Sequence, residues 1–102
     1  MQMTITARHC DISEELRERA EVVLNRLADH VPRAMDGTVV FDNAPTAQAE
    51  IRLHSGQGNV IIATAEDRDH RSALDRAEEK VKRQIEKSTA QARRMRGAKD
   101  EM

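Results

Sequence analysis

The chain has 102 residues, of which 38% are hydrophobic, a formal net charge of -1 and a pI near 6.4. That suffices for one modest core and falls short of two ordinary domains. Phe41 is the single aromatic residue among Phe, Tyr and Trp, which excludes recognition of single-stranded RNA by stacking bases on aromatic platforms. A lone Cys10 excludes an internal disulfide, no basic start followed by an apolar run suggests secretion, and no run approaches the roughly 20 apolar residues needed to span a bilayer. A reducing cytoplasm is the expected compartment.

Met3, Ile5 and Ala7 alternate with Gln2, Thr4, Thr6 and Arg8, the two-residue period of a strand with one buried face. Ser13 then precedes Glu14 and Glu15, the arrangement of a hydroxyl cap with carboxylates at the positive end of a helix. Leu16, Ala20, Val23, Leu24 and Leu27 follow at helical spacing, so a helix is predicted from Ser13 to His30, ended by Pro32. Val39, Val40 and Phe41 predict a strand over Thr38 to Asp42. Ala47, Ala49, Ile51 and Leu53, alternating with Gln48, Glu50, Arg52 and His54, predict another. Asn43, Ala44 and Pro45 supply the turn between these two. Ser55, Gly56, Gln57, Gly58 and Asn59 supply the connection into a last strand over Val60 to Ala65. These three strands are expected to form an antiparallel meander.

Asp69 is the predicted cap of a final helix that continues to Arg96 and ends before Gly97. Within it Arg76, Lys80, Arg83, Lys87 and Arg94 recur at intervals of three, four and seven. At about 100° per residue they share a sector about 60° wide. Leu74, Ala77, Val81, Ile85, Ser88 and Ala92 fall in a sector roughly opposite, so the helix can bury one side and hold a row of cations outward. Rigidly spaced cations suit a polyanion, because several condensed counterions are released together. From Lys80 to Lys99 eight basic residues face one acid, Glu86, a local balance of +7 by subtraction. The rest of the chain is acidic overall, and that asymmetry orients a protein on an anionic surface. Arg26 and Arg8 extend the positive surface, or Arg26 only supports the negative end of its own helix.

No catalytic constellation emerges. His9, Cys10 and Asp11 are adjacent and alternate in direction, without a second closely spaced ligand pair, so a metal site is not expected. Cys10 reads as a small packed residue, not a nucleophile. Glu78 and Glu79 point about 100° apart, with Glu78 placed to meet Lys82 one turn later. Gly56 and Gly58 lack the following helix of a phosphate cradle. Neither a cofactor nor a catalytic residue is expected.

Ile5-Thr6-Ala7-Arg8-His9 with Ile12-Ser13, Val39-Val40-Phe41-Asp42, and Asp69 with Ala73-Leu74-Asp75 and Lys80-Val81-Lys82-Arg83-Gln84-Ile85-Glu86-Lys87 together resemble the ribosome hibernation promoting factor family, which includes the ribosome-associated inhibitor proteins. The resemblance spans residues 2 to 94 and implies a fold similar to double-stranded-RNA-binding domains. It also implies a dormancy role in the decoding channel of the small ribosomal subunit, where the protein excludes messenger and transfer RNA. By motif position the rRNA-facing residues would be Arg8 or His9, Arg26, Lys80, Arg83, Gln84 and Lys87. Arg71 stands where the family commonly has an aromatic residue. The length matches the short form, so any pairing of ribosomes would depend on other factors.

The expectation is therefore an α+β (α/β) domain over residues 1–96, ordered β-α-β-β-β-α, with two helices on one face of a four-stranded sheet and a flexible tail over residues 97–102. Its partners would be the small ribosomal subunit and its rRNA, with neither DNA nor a membrane, through Arg8, His9, Arg26, Arg76, Lys80, Arg83, Gln84, Lys87 and Arg94. The alternative is a protein-interaction module that uses an exposed sheet face or edge.

Overall fold

In a computed structural model, residues 1–43, 45–56 and 58–100 are described, with side chains of the last helix described as far as Lys87. Ala44 and Gln57, assigned to turns above, lie outside the described residues, as do the side chains of Ser88, Ala92 and Arg94. The elements run β1 (Gln2–Ala7), α1 (Glu14–Ala28), β2 (Ala34–Asn43), β3 (Ala47–Ser55), β4 (Val60–Asp67) and α2 (His70–Asp100). The sheet order is β1-β2-β3-β4. β1 pairs parallel to β2, with Ile5 opposite Val39, and the remaining two pairings are antiparallel.

Alternation decides the two faces. Val39 and Phe41 on β2, Ala49, Ile51 and Leu53 on β3, and Ala63 and Ala65 on β4 are buried beneath the helices. Thr38, Glu50, Arg52, Ile62 and Thr64 take the other face. α1 contributes Ala20, Val23, Leu24 and Leu27, and α2 contributes Ala73, Leu74, Ala77 and Val81. α1 lies over β1 and β2, whereas α2 lies over β3 and β4. Gly37 permits this close packing: a Cβ there would stand 3.0 Å from a Leu24 methyl and 3.2 Å from a Leu53 methyl.

Both expected caps are present. The Ser13 hydroxyl accepts from the Leu16 amide at 3.1 Å, and the Asp69 carboxylate accepts from the Ser72 amide at 2.7 Å. α1 closes at Ala28, two residues short of His30, with Asp29 at its C-cap. β2 begins at Ala34 and not at Thr38, because β1 and β3 flank it and pair even its polar positions, Asp36 and Thr38, across the sheet. α2 does not stop before Gly97 but continues through it to Asp100. One glycine among good helix formers costs only about 1 kcal/mol, less than is needed to break a helix.

At 1.5 Å per residue the 31 residues of α2 span about 46 Å, against about 26 Å for the eight residues of β4. The helix outruns the sheet that supports it, and Ile85 is its last described contact with the core.

Candidate nucleic-acid interface

The row of cations on α2 exists, but on a different bearing from the one expected. Lys80 donates from Nζ to the Thr64 carbonyl at 2.8 Å, and Gln84 donates from Nε2 to the Ile62 carbonyl at 2.9 Å. Both acceptors belong to β4, the edge of the sheet. The stripe therefore runs along the flank of α2 that overhangs this edge, not diametrically opposite the core. The cause is Ala73 and Ala77, small enough for the helix to settle close on that side and bring four-carbon and amide side chains within reach of the strand backbone.

The rest of the row follows the same flank. Arg76 meets Asp67, at the end of β4, at 3.0 Å. Arg83 stands 3.9 Å from Glu79 one turn earlier. The Arg76 and Arg83 side chains are 68% and 74% exposed, so each pair contributes little to stability and the guanidinium groups stay available to a solvent-side partner. Lys87 is exposed and has no partner among the described residues. Along the axis the steps from Arg76 to Lys80, Arg83 and Lys87 are about 6, 4.5 and 6 Å.

Arg26 sits elsewhere. Its guanidinium donates twice to Glu78, from Nε at 3.1 Å and from an Nη at 3.0 Å, bridging α1 to α2. Glu78 is buried, and Lys82, its expected partner, does not hold it. Glu78 is expected to meet Lys82 because i, i+4 spacing is visible in a sequence, whereas a partner 52 residues away is not. Arg19 adds a second bridge to Asp75 at 3.4 Å. Arg94 lies outside the residues whose side chains are described.

Arg8 and His9 form the turn that leaves β1. The Arg8 amide donates to the Phe41 carbonyl at 2.8 Å, and its side chain lies over a shallow depression on the open face with Asp42, Glu50 and Thr64. His9 adopts a left-handed backbone, φ 56°, and donates from Nδ1 to the Asp42 carboxylate at 3.1 Å. That bond and the Asn43 amide hold the Asp42 carboxyl below the usual carboxylate range. His70, at the start of α2, donates from Nε2 to the Asp42 carbonyl at 2.8 Å and packs edge-on against Phe41, with ring centroids 5.8 Å apart. Burial, then the nearby Asp42 charge, pushes the Cys10 thiol up, so it stays protonated and a poor nucleophile.

The open sheet face is laced with its own polar pairs. Glu50 accepts from Arg52 at 3.0 Å, and Glu66 accepts from Gln48 at 2.9 Å and from Thr46 at 3.3 Å. With Asp36 and Asp42 on the same face, four carboxylates stand against Arg8 and Arg52. The molecule is therefore electrically two-sided, cationic along the α2 flank and acidic across the sheet.

Residues 3–93 match the family model described as sigma 54 modulation protein / S30EA ribosomal protein. The chain belongs to that family. Two solved structures share the S30EA fold with it. The N-terminal domain of Thermus thermophilus Protein Y is 27% identical, with a TM-score of 0.73 over 85% of this chain and 98% of that one. A ribosomal subunit interface protein from Coxiella burnetii is 26% identical, with a TM-score of 0.76 over 88% of this chain and 99% of that one. No relative was found among curated protein sequences. The S30EA match ends at residue 93, within α2, so it includes every candidate side chain described above.

Proposed function

We propose that this protein is a cytoplasmic, non-enzymatic ribosome hibernation factor. It binds the rRNA of the small ribosomal subunit in the decoding channel and inhibits translation reversibly during stress, stationary phase or dormancy. The observation that carries the reading is the row Arg76, Lys80, Arg83 and Lys87, exposed along one flank of a helix whose other side is fixed in the core. Membership of the S30EA family supports it, as does the likeness to a protein named for the interface of ribosomal subunits. Gln84 lies within the row, and Arg8 and His9 lie at the far end of the sheet, where they would supply secondary contacts. Arg94, seven residues after Lys87 in the sequence, would be a further contact.

Contact with phosphates and shape, without base stacking, suits a surface of guanidinium and ammonium groups that holds no exposed aromatic ring. The carboxylates of the sheet face would leave only its rim at Arg8 and His9 open to RNA, which limits the orientations in which the protein docks. The reading needs no cofactor and no reacting group.

Arg83→Glu with Lys87→Glu is the direct test. Lys80 is less suitable, because its ammonium also holds a strand carbonyl. The double variant is expected to keep its circular dichroism and thermal midpoint while losing co-sedimentation with small subunits at moderate salt. Undiminished co-sedimentation would reject the row as the interface. The competing reading, strand addition at a sheet edge, is disfavoured at β4, where Lys80 and Gln84 occupy two outward carbonyls.

A further inference from the structure

Arg26 carries a cation and its position matches a motif residue, yet its guanidinium, on a side chain 46% exposed, is engaged by a carboxylate of the protein's own. Two of its three nitrogens, Nε and one Nη, donate to one carboxylate, Glu78, whose side chain is only 8% exposed. A bidentate fork of this kind is directional: two parallel bonds fix the plane of the acid as well as its distance. Glu78 is two residues from both Arg76 and Lys80, about 200° around the helix from each. The clamp thus grips α2 on the side away from the cation row, while Lys80 and Gln84 grip it from the row's own side through Thr64 and Ile62. Arg19 on Asp75 adds a weaker tie in the same helix pair. Held from both flanks, α2 has one rotation about its axis.

We infer that Arg26 is a positioning residue that serves the proposed RNA interface without touching RNA, by locking Glu78 and thereby setting where the α2 cations point. This rests on the ribosome-binding reading and assigns a role within it. Contact and positioning predict opposite behaviour from conservative variants. Lys at position 26 keeps the charge a phosphate needs but loses the fork a carboxylate needs. Gln at position 78 removes a negative charge, which by charge alone favours RNA binding.

The test measures small-subunit affinity against salt for the wild type and for R26K, R26M and E78Q, well below each unfolding transition, together with thermal midpoints. Positioning predicts that R26K and E78Q each weaken binding roughly tenfold, the scale of coupling between contacting residues. The slope of log affinity against log salt stays at the wild-type value. The charge-swapped R26E/E78R recovers affinity and midpoint relative to either reversal alone. Should the swap fail to fold, R26M/E78M replaces it, and a double-variant midpoint above the sum of the single losses supports the clamp. The proposal is overturned if R26K binds like the wild type while R26M lowers the slope by about 0.7 to 0.9, the mark of one lost phosphate contact. E78Q binding as tightly as the wild type, or more tightly, overturns it too. The midpoints need no ribosome: additive losses refute the clamp itself. A wild type that never binds ribosomes refutes the functional reading, whatever the midpoints say.

Discussion

Replacing Arg83 and Lys87 by glutamine removes two cations without introducing repulsion, and its effect can be worked from the row itself. Four side chains, Arg76, Lys80, Arg83 and Lys87, are exposed on one flank of α2. Each phosphate neutralised contributes about 0.7 to 0.9 to the steepness of log affinity against log salt. Four contacts give a slope of about -3.2, so affinity should fall about 80-fold between 50 and 200 mM salt. With two contacts removed the slope becomes about -1.6 and the same change in salt costs only about ninefold. The variant should bind much more weakly at 50 mM, and the two lines should converge as salt rises. Neither side chain is buried, so the fold should lose less than about 0.5 kcal/mol, a shift of at most about 2–4 °C in the midpoint. Filter binding or analytical sedimentation with purified small subunits, over a salt series, reads the slopes. Parallel lines for the two proteins would refute the assignment of Arg83 and Lys87 to phosphate contact.

Lys80→Met with Gln84→Leu removes both donors to the β4 carbonyls. Urea unfolding should show a loss of about 1–2 kcal/mol, and concentration-dependent association should rise in sedimentation velocity as the edge is uncovered; an unmoved midpoint with a monomeric profile would show that the edge needs no guard. The Ser72 amide bond holds the Asp69 carboxyl below the ordinary carboxylate value, so its stabilisation is present above about pH 4 and is lost as pH falls through the depressed folded value. The thermal midpoints of Asp69→Asn and the wild type should therefore differ most near neutral pH and converge in acid, and a gap that widens in acid would contradict this sign. Gly58, at φ 84° with open space where a Cβ would lie, should cost about 1 kcal/mol when changed to Ala, through backbone strain alone. A midpoint equal to or above the wild type would show that the turn adopts another backbone conformation.

Local chemistry was legible in the sequence. Ser13 and Asp69 cap their helices because a side-chain oxygen three residues ahead of an amide needs no distant partner. The alternation of Ala47, Ala49, Ile51 and Leu53 shows a strand with one buried face for the same reason, and the spacing of Arg76, Lys80, Arg83 and Lys87 places them in one sector of any α-helix. These are angles and intervals within a single element, and a chain carries them in its order of residues.

Short turns announced the antiparallel meander of β2, β3 and β4, but tertiary structure decided which side chains meet between elements. Helical periodicity relates the residues of α2 to one another but not the helix to the sheet, so it could not say that the cations overhang β4 or that Lys80 and Gln84 would hold its carbonyls. Glu78 had a plausible partner one turn away in Lys82, and lost it to Arg26 on another helix, because burial between α1 and α2 favours a fixed guanidinium fork over a solvated ammonium. β2 begins at Ala34 because flanking strands complete its backbone hydrogen bonds, a gain that the polar side chains of Asp36 and Thr38 do not announce. The residues of the row were written in the sequence; the direction in which they face was set by packing.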